Sequence, residues 1–359
     1  MLDNLWKNTQ LMTVGIDIGS HAIKAILLSQ GAQGYVLEDY AIEMMPRHAL
    51  IDREIQDIEV VGNVINRIRQ QLSVKATEAV AAVSGQTVIT KVISMDASLT
   101  EAEIASQINI EADSLIPYPL DEVSLDFETL GSDDSVPNQV NVLLSVARTE
   151  SVQARVAALA LGGFHARIID VESHVLGRAY QVCWSLLPMD AKNKRVVLID
   201  IGAQLTLFSA IDSGKKIYSR EQMFGGEQYT RAIMAYYHQS YEEAEQAKIA
   251  DQLPSSNGLT VLAPFYRLLQ QKIRQGIQTF LTASGQKQVD HLLISGGTAA
   301  LPGVEILLTE ALGIDTVIAN PFTNMTLSSA IDKDNLFSVA PQFMVATGLA
   351  LRNFTPWHI

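Results

Sequence analysis

The chain has 359 residues, of which 48% are hydrophobic and 18% are charged, and its formal net charge at pH 7 is −13. This length suffices for one or two domains with a sizeable core, and the composition excludes an intrinsically disordered chain. The negative charge argues against a nucleic-acid partner, because phosphate backbones are bound by stripes of Lys and Arg side chains.

The sequence contains a single cysteine, Cys183, which excludes an intramolecular disulfide and any metal site with several cysteine ligands. We expect it to be a small buried residue on a helix rather than a reactive thiol. The first residues lack the basic region and long apolar run of a signal peptide. The sequence also lacks the roughly 18–20 uninterrupted apolar residues of a membrane span. These features predict a soluble cytoplasmic protein.

Strands and helices alternate along the first half of the sequence, which predicts an α/β fold with mainly buried sheets. The predicted strands of this half are a hairpin at 12–29 and runs at 34–44, 79–83, 88–95, 123–130, 139–147 and 166–170. Its predicted helices are 57–72, 100–115, 150–161 and 171–187. Apolar residues at helical spacing support the first of these helices. Thr100 and Glu103 predict a capping box at the start of the second.

The second half is predicted to begin after a polar break at 188–194. Its predicted strands are a hairpin at 196–210 and runs at 216–222 and 289–295. Its predicted helices are 227–237, 241–250, 261–283, 304–312 and 342–352. Residues 253–259 are rich in Pro, Ser, Asn and Gly, and they are predicted to form a loop.

Two stretches of the sequence are nearly alike. Residues 13–24 and 196–206 each contain an apolar strand that ends in Asp-Ile-Gly, a small or polar tip, and a second apolar run. In a phosphate-binding hairpin, glycine lets the backbone approach the ligand closely and the N–H groups of the turn bind an anion. The two copies predict two related lobes that bind one polyphosphate.

The strongest candidates for a functional site are the strand-end carboxylates, Asp17 and Asp200. Such a carboxylate can hold a divalent cation, usually through water. An Asp at this position can also simply cap a turn, but its occurrence in both copies favours the binding interpretation. The remaining candidates of the two turns are Gly19, Ser20, His21, Gly202, Ala203, Gln204 and Thr206. Lys24 follows the first turn, and either reaches a terminal phosphate or is an exposed lysine at a sheet edge.

Two glycine pairs each precede a predicted helix, in Gly225-Gly226-Glu227 and in Gly296-Gly297-Thr298. Helix N-termini favour phosphate or ribose oxygens, although a Gly-Gly turn is also common between ordinary elements. The sequence lacks the P-loop and the strand-linked Gly-x-Gly-x-x-Gly patterns, which argues against those two cofactor folds.

The order of these features resembles the actin-like ATPase superfamily, which includes actin, the heat-shock chaperone ATPases, sugar kinases and the division protein FtsA. The order is a first hairpin, Glu172 at the start of a helix, a second hairpin, Phe224-Gly-Gly-Glu227 and Ile294-Ser-Gly-Gly-Thr298. The resemblance implies two RNase H-like lobes with a small α+β subdomain inserted in the first. The implied boundaries are 1–190 for the first lobe, about 88–165 for its insertion, 191–340 for the second lobe and 341–359 for a C-terminal helix that returns to the first lobe.

A closer resemblance is to the PilM family of type IV pilus assembly proteins. The residues that carry it are Ile116-Pro-Tyr-Pro-Leu-Asp-Glu-Val123, Asp170-Val-Glu172, Phe224-Gly-Gly-Glu227, Asn320-Pro-Phe-Thr-Asn-Met325 and Gly348-Leu-Ala-Leu-Arg352. The resemblance implies a cytoplasmic ATP-binding protein of pilus biogenesis and twitching motility. It implies binding of the N-terminal cytoplasmic tail of the inner-membrane protein PilN, in a groove between the main first lobe and the insertion. PilO, through PilN, and the pilus motor ATPases would be indirect partners, and the protein would be peripheral to the inner membrane.

The resemblance also implies roles for individual residues. Asp17 and Asp200 would hold Mg²⁺ through water, with Asp200 also catalytic, and Glu172 would orient the attacking water in any slow hydrolysis of ATP. Gly226, Gly296 and Gly297 would line the nucleoside, which a helix carrying Lys272 and Gln275 would clamp. This chain has Gln275-Gly276 where family members often have Arg-Ser, and His21 replaces a more usual Ser or Thr.

Two alternatives of other classes stay open. One is a membrane-tethered filament protein similar to FtsA, although the end of this sequence, 353–359, lacks a linker and a basic amphipathic helix. The other is a small-molecule kinase of the same superfamily, for which the sequence shows no sugar-pocket signature. Self-association of the protein also stays open.

Overall fold

The computed structural model describes residues 12–73, 75–84, 88–132, 136–249, 253 and 255–354. These residues form two compact units, each with its own α/β core. The first unit takes the described residues of Met1–Arg178, Thr326–Ser328 and Val345–Ile359. The second takes those of Ala179–Met325 and Ser329–Met344.

The first unit contains most of the strands. They are β1 (Thr13–Ile18), β2 (Ala22–Gly31), β3 (Gly34–Met44), β4 (Leu50–Ile51), β5 (Glu54–Ile55), β6 (Glu78–Val83), β7 (Ile89–Asp96), β8 (Val123–Ser132), β9 (Gln139–Arg148), β10 (His165–Val171) and, late in the chain, β16 (Thr326–Leu327). Its helices are α1 (Ile58–Gln71), α2 (Glu101–Leu115), α3 (Thr149–Leu161), α4 (Glu172–Tyr180) and α10 (Met344–Leu351).

In the described part of the first unit, six strands form a sheet in the order β10-β6-β1-β2-β3-β16. The strands β10, β6 and β1 are parallel, whereas β1, β2 and β3 are antiparallel neighbours. All residues of β1 are buried, which fits its mainly apolar sequence. Helix α1 packs on one face through Val61 and Ile65. Asp57 caps its N-terminus, and the Asp57 carboxylate accepts from the Val60 N–H at 3.0 Å.

A smaller sheet with the order β7-β9-β8 lies in the inserted region and packs on α2. The predicted capping box is confirmed, because the Thr100 N–H donates to Glu103 at 2.8 Å and the Glu103 N–H donates to the Thr100 hydroxyl at 3.4 Å. Residues of β9 alternate between two faces. Val142 and Leu144 join the core with α2, so Leu143 and Ser145 lie on the opposite face.

The second unit has β11 (Arg195–Ile201), β12 (Thr206–Asp212), β13 (Lys215–Gln222), β14 (His291–Ser295) and β15 (Asp315–Ile318). Its helices are α5 (Glu227–Tyr237), α6 (Tyr241–Ile249), α7 (Ser255–Ser284), α8 (Val304–Leu312) and α9 (Lys333–Val339). The described strands form one sheet in the order β13-β12-β11-β14-β15. Helix α7 packs on it through Leu269, Ile273 and Phe280, which share a core with Phe208.

Each unit therefore opens with the predicted hairpin. In the first, β1 pairs antiparallel with β2 and parallel with β6. In the second, β11 pairs antiparallel with β12 and parallel with β14. The mixed α/β fold and the two repeated hairpins are confirmed.

Some elements differ from the prediction. Helix α4 ends at Tyr180, and a 3-10 helix continues over Gln181–Leu186. Leu187 is extended, because a residue before proline, here Pro188, disfavours the helical conformation. Helix α7 begins at Ser255, inside the predicted loop 253–259, because the apolar face of the long helix outweighs the weak helix propensity of the segment at its start. The short hairpin β4–β5 and the elements β15, β16 and α9 were missing from the prediction.

Parts of some predictions lie outside the described residues. These parts are the N-terminal residues 1–11, residue 250 of the predicted helix 241–250, residue 254 of the predicted loop 253–259, residues 74, 85–87, 133–135 and 251–252 of predicted connections, and residues 355–359 of the implied C-terminal segment 341–359. Within the described chain, no helix combines the length and apolar character needed to cross a membrane.

Candidate functional site

The first candidate turn joins β1 to β2 and is closed by a hydrogen bond from the Gly19 N–H to the Ala22 carbonyl at 3.2 Å. Asp17 and Lys24 are cross-strand partners at the end of the hairpin. The Lys24 ammonium lies 2.8 Å from the Asp17 carboxylate. A Cβ on Gly19 would come within 2.8 Å of the Ala22 carbonyl oxygen, so a side chain at this position does not fit.

This turn combines the groups that a phosphate and its cation require. The side chain of Lys24 is only 15% exposed, so it is not the freely exposed edge lysine of the alternative interpretation. Ser20 and His21 lie half-buried at the tip, and the His21 carbonyl accepts from the Met45 N–H at 2.8 Å. An ammonium, a carboxylate and a tight glycine turn therefore share one end of the hairpin.

The second candidate turn joins β11 to β12. Asp200 lies beside Ser295 of the neighbouring strand β14, and the Ser295 hydroxyl donates to the Asp200 carboxylate at 2.7 Å. The Gly202 N–H donates to the Leu205 carbonyl at 2.9 Å, which closes the turn. The serine hydrogen bond fixes the orientation of the carboxylate that was predicted to hold Mg²⁺.

The Gly225-Gly226-Glu227 turn packs directly on the backbone of this hairpin. The Gly226 N–H donates to the Gly202 carbonyl at 2.9 Å, and the Glu227 N–H donates to the Ala203 carbonyl at 2.8 Å. A Cβ on Gly225 would lie 2.4 Å from the Gly202 carbonyl oxygen. Only glycine allows this close approach of the two backbones. The Gly-Gly pair therefore has a specific packing role here and is not just a common connection between elements.

The third turn of the second unit contains Gly296, Gly297 and Thr298. Gly296 has a φ of +85°, which favours glycine, and its N–H donates to the Pro341 carbonyl at 2.8 Å. The Thr298 hydroxyl donates to the Gly202 carbonyl at 3.2 Å. The structure thus brings together three of the predicted segments, at 202–204, 225–227 and 296–298.

Two of the predicted binding side chains form a hydrogen bond or an ion pair with other residues of the protein. The buried Thr206 hydroxyl donates to the Phe224 carbonyl at 2.8 Å, so it ties the hairpin to the glycine turn. Glu227 pairs with Arg231 at 2.8 Å, one helical turn further along α5. These contacts position the turns, and a direct contact of either side chain with a ligand stays a prediction.

Lys272 and Gln275 lie in the middle of α7. On this helix Ile273 and Gly276 face the core, and a Cβ on Gly276 would come within 2.3 Å of the Phe208 ring. Gln275 is exposed and Lys272 is half-buried. Their role as a nucleoside clamp stays a prediction.

Sequence reasoning missed a charged pair on α6 beside the glycine turn. The Lys248 ammonium lies 2.6 Å from the carboxylate of the buried Glu245 and donates to the Thr230 hydroxyl at 2.9 Å. A Cβ on Gly226 would lie 3.8 Å from this ammonium. The spacing of three residues places both side chains on one helix face. That signal was available in the sequence, but such pairs are usually found on surfaces.

Glu172 is the first residue of α4 and is 5% exposed. Its carboxylate forms an ion pair with the Arg53 guanidinium, which also donates to the Ser84 hydroxyl at 2.8 Å. Arg53 comes from the β4–β5 hairpin, which the sequence pattern did not predict. The carboxylate predicted to orient water is therefore already bound by an arginine.

A groove of about 300 Å³ lies in the first unit, between the small sheet and the six-stranded sheet. Asp126, Glu128 and Ser145 line it from the side of β8 and β9. On the other side it is lined by Arg167–Val171 of β10 together with His174, Arg178 and Arg352. Both β8 and β10 are edge strands of their sheets, so the groove lies between two strand edges.

The floor of the groove carries an ion-pair cluster around Asp170. Its carboxylate accepts from the Arg178 guanidinium at 3.2 Å and lies 3.3 Å from the Arg352 guanidinium. Burial lowers the pKa of Arg178, and the adjacent Asp170 carboxylate acts in the opposite direction. Two guanidinium groups share one carboxylate here, and the carboxylates of Asp126 and Glu128 also line the groove.

Comparison with known proteins supplies a family and several related structures. The family described as type IV pilus assembly protein PilM matches residues 15–354. The solved structure titled PilM-PilN type IV pilus biogenesis complex is 25% identical over 96% of this chain and 99% of that chain, with a TM-score of 0.81. The ethanolamine utilization protein EutJ from Carboxydothermus hydrogenoformans is 14% identical over 95% of this chain and 89% of that chain, with a TM-score of 0.58. MreB5 of Spiroplasma citri bound to AMPPNP is 13% identical over 94% of each chain, with a TM-score of 0.47.

Proposed function

The chain belongs to the family of the type IV pilus assembly protein PilM, and on this premise we propose that it is the ATP-binding component of the pilus inner-membrane assembly platform. In this role it binds the N-terminal cytoplasmic tail of PilN and couples its nucleotide state to assembly of the machinery. The observation that carries the proposal is the similarity, over nearly the full length of both chains, to a protein solved as a PilM-PilN complex.

The two hairpin turns support the nucleotide part of the proposal. Close backbone packing at Gly19 and Gly225 leaves no room for a Cβ, and tight glycine turns of this kind are the backbone conformation that binds phosphate oxygens in known sites. In the proposal, Lys24 binds a terminal phosphate, and Asp17 and Asp200 hold Mg²⁺ through water. The glycine turns at Gly226 and Gly296 line the nucleoside, for which the Glu245–Lys248 pair offers both an acceptor and a donor.

Isothermal titration of the full chain with ATP and Mg²⁺ tests this part. Asp17→Asn and Asp200→Asn should each weaken ATP binding about tenfold or more, because groups that orient metal-bound water typically affect metal affinity by about 10–100-fold. Asp121→Asn, at an exposed carboxylate of the inserted region, is the matched control and should bind like the wild type. Wild-type affinity in both Asp17→Asn and Asp200→Asn would refute nucleotide binding at these turns.

The groove of the first unit supports the PilN part. Extended peptides are commonly captured at a strand edge, where backbone hydrogen bonds give affinity and pockets select side chains. Here two strand edges, β8 and β10, line one groove. Its buried ion-pair cluster offers fixed donors for the carbonyl groups of an extended chain. We place the PilN tail in this groove.

A bulky residue in the groove tests the placement. Ser145→Trp adds a large side chain to the wall of the groove and should weaken binding of a synthetic, fluorescently labelled PilN tail at least tenfold. The control is Ser94→Trp, on the same face of the same sheet but on the opposite edge strand β7. Equal tail affinity in the two variants, measured by fluorescence polarisation, would place the tail elsewhere.

The partner also accounts for the proposed location. With no helix in its described chain that could cross a membrane, the protein would be held at the inner membrane through PilN. It should sediment with vesicles that contain PilN and remain in the supernatant with protein-free vesicles of the same anionic lipid composition. Sedimentation with the protein-free vesicles would instead favour the FtsA-like alternative.

A further inference from the structure

The Glu172 carboxylate is held by a side chain that reaches it from a distant part of the first unit. Arg53 lies 119 residues earlier and pairs with Glu172, and its Nε donates to the Ser84 hydroxyl at the end of β6. Both acceptor residues are buried. One guanidinium thus connects the start of α4 with the end of a central strand, in a place where a charge-assisted hydrogen bond is little weakened by solvent.

The conformation of Arg53 is unusual. Asp52 and Arg53 form the two-residue turn between β4 and β5, and their φ angles are +49° and +71°. Turns with two positive φ angles usually carry Asn, Asp or Gly, because most other L-residues are disfavoured there by about 1–2 kcal/mol each. Asp52 is a residue that such turns accept, but Arg53 is not, so surrounding contacts have to hold Arg53 in this conformation.

A second arginine supplies those contacts. Arg155 of α3 is 2% exposed, and its guanidinium donates to the Arg53 carbonyl at 2.7 Å. The same guanidinium donates to the carbonyls of Ala82 at 2.8 Å and Ser151 at 3.0 Å. Arg155 therefore joins the turn to α3 and β6, and this rigid support presents the Arg53 side chain to Glu172.

We propose that Arg53 is a positioning residue that restrains Glu172 and keeps ATP hydrolysis slow. The inference rests on the proposed nucleotide function, in which Glu172 orients the attacking water. The guanidinium fixes the orientation of the carboxylate and takes up part of its capacity to accept a hydrogen bond from the attacking water. The bound state is then long-lived, as suits a protein that reports its nucleotide state to a partner. Release of Arg53 frees the carboxylate for catalysis.

The test separates binding from turnover in the full chain. Arg53→Gln removes the charge, and we expect at least a tenfold faster single-turnover release of phosphate at saturating ATP and Mg²⁺, with an unchanged dissociation constant for ATP. Arg67→Gln is the matched control, since Arg67 belongs to the same unit and forms an ion pair with Glu43 at the surface. This control should hydrolyse ATP at the wild-type rate.

Two further variants show whether the effect passes through Glu172. Glu172→Gln combined with Arg53→Gln should remove the acceleration, which a merely structural role of Arg53 would not predict. Arg53→Lys keeps the charge but cannot bridge Glu172 and Ser84 as a guanidinium does. Arg53→Lys should give a hydrolysis rate between those of the wild type and Arg53→Gln. It also replaces Arg53→Gln in the test if that variant fails to fold.

The outcomes are distinguishable. A wild-type or slower rate in Arg53→Gln or, if that variant is unfolded, in Arg53→Lys, with intact ATP binding, overturns the restraint and leaves the proposed function standing. Acceleration that persists in the double variant also overturns it. Failure of the wild type itself to bind ATP overturns the nucleotide part of the proposed function, and the restraint with it.

Discussion

At the scale of single residues, the surroundings of Cys183 decide its chemistry. The side chain is fully buried, and burial raises the pKa of its thiol to about 12. The thiolate is the reactive form, so the folded protein should not react with a thiol reagent such as DTNB at pH 8. After unfolding in guanidinium chloride, one thiol per chain should react, because the sequence contains one cysteine. Rapid stoichiometric labelling of the folded chain would contradict this prediction.

Single residues also show what the sequence could and could not predict about the site. Asp17 and Lys24 were predicted to lie before and after the first turn, as they do, because a short turn between two strands has a clear local pattern. Their ion pair was not predicted. Glu172 was predicted at the start of a helix, where it lies. Its partner Arg53 was not predicted. Asp-Arg is not a recognised turn sequence, and an ion pair across 119 residues leaves no local signal.

At the scale of elements, the approach of α10 to α4 depends on one glycine. A Cβ on Gly348 would lie 2.1 Å from the Val175 carbonyl oxygen of α4. Gly348→Ala should therefore push the helices apart and lower stability by about 1–3 kcal/mol or more, the usual range for overpacking. Thermal unfolding followed by circular dichroism should show a melting temperature several degrees below that of the wild type.

Gly177→Ala is the matched control for this prediction, since Gly177 lies on α4 and a Cβ there meets no described atom within 4 Å. Alanine is the better helix former by up to about 1 kcal/mol, so this variant should be as stable as the wild type or more stable. An unchanged melting temperature in Gly348→Ala would mean that the two helices can separate without cost.

Prediction of the elements succeeded where local signals were strong. Helix α1 has apolar residues at helical spacing and a capping Asp57, and α2 has its Thr100–Glu103 capping box. The prediction was wrong at the start of α7, because Ser, Asn and Gly have low helix propensity while a long apolar face stabilises the whole helix. It also missed β16, a strand of two residues that is defined only by its pairing with β3.

At the scale of the whole molecule, the repeated Asp-Ile-Gly hairpin was the strongest signal in the sequence. It is confirmed as the first pair of strands in each compact unit. The groove of the first unit was implied only by family resemblance. Its floor joins Asp170 to Arg352, residues far apart in the chain, and such a pairing follows from the complete topology rather than from any segment.

The proposed ATP site makes a prediction for the molecule as a whole. A ligand at about a thousand times its dissociation constant stabilises the folded state by about 4 kcal/mol. For a chain of 359 residues, with an unfolding entropy of about 2.1 cal/mol/K per residue, this corresponds to about 5 °C in melting temperature. ATP with Mg²⁺ should produce this shift in differential scanning calorimetry.

Asp17 and Asp200 belong to different units. If both hairpins bind the ligand, Asp17→Asn and Asp200→Asn should each remove most of the shift in melting temperature. A shift lost in only one of these variants would assign the nucleotide to that unit alone.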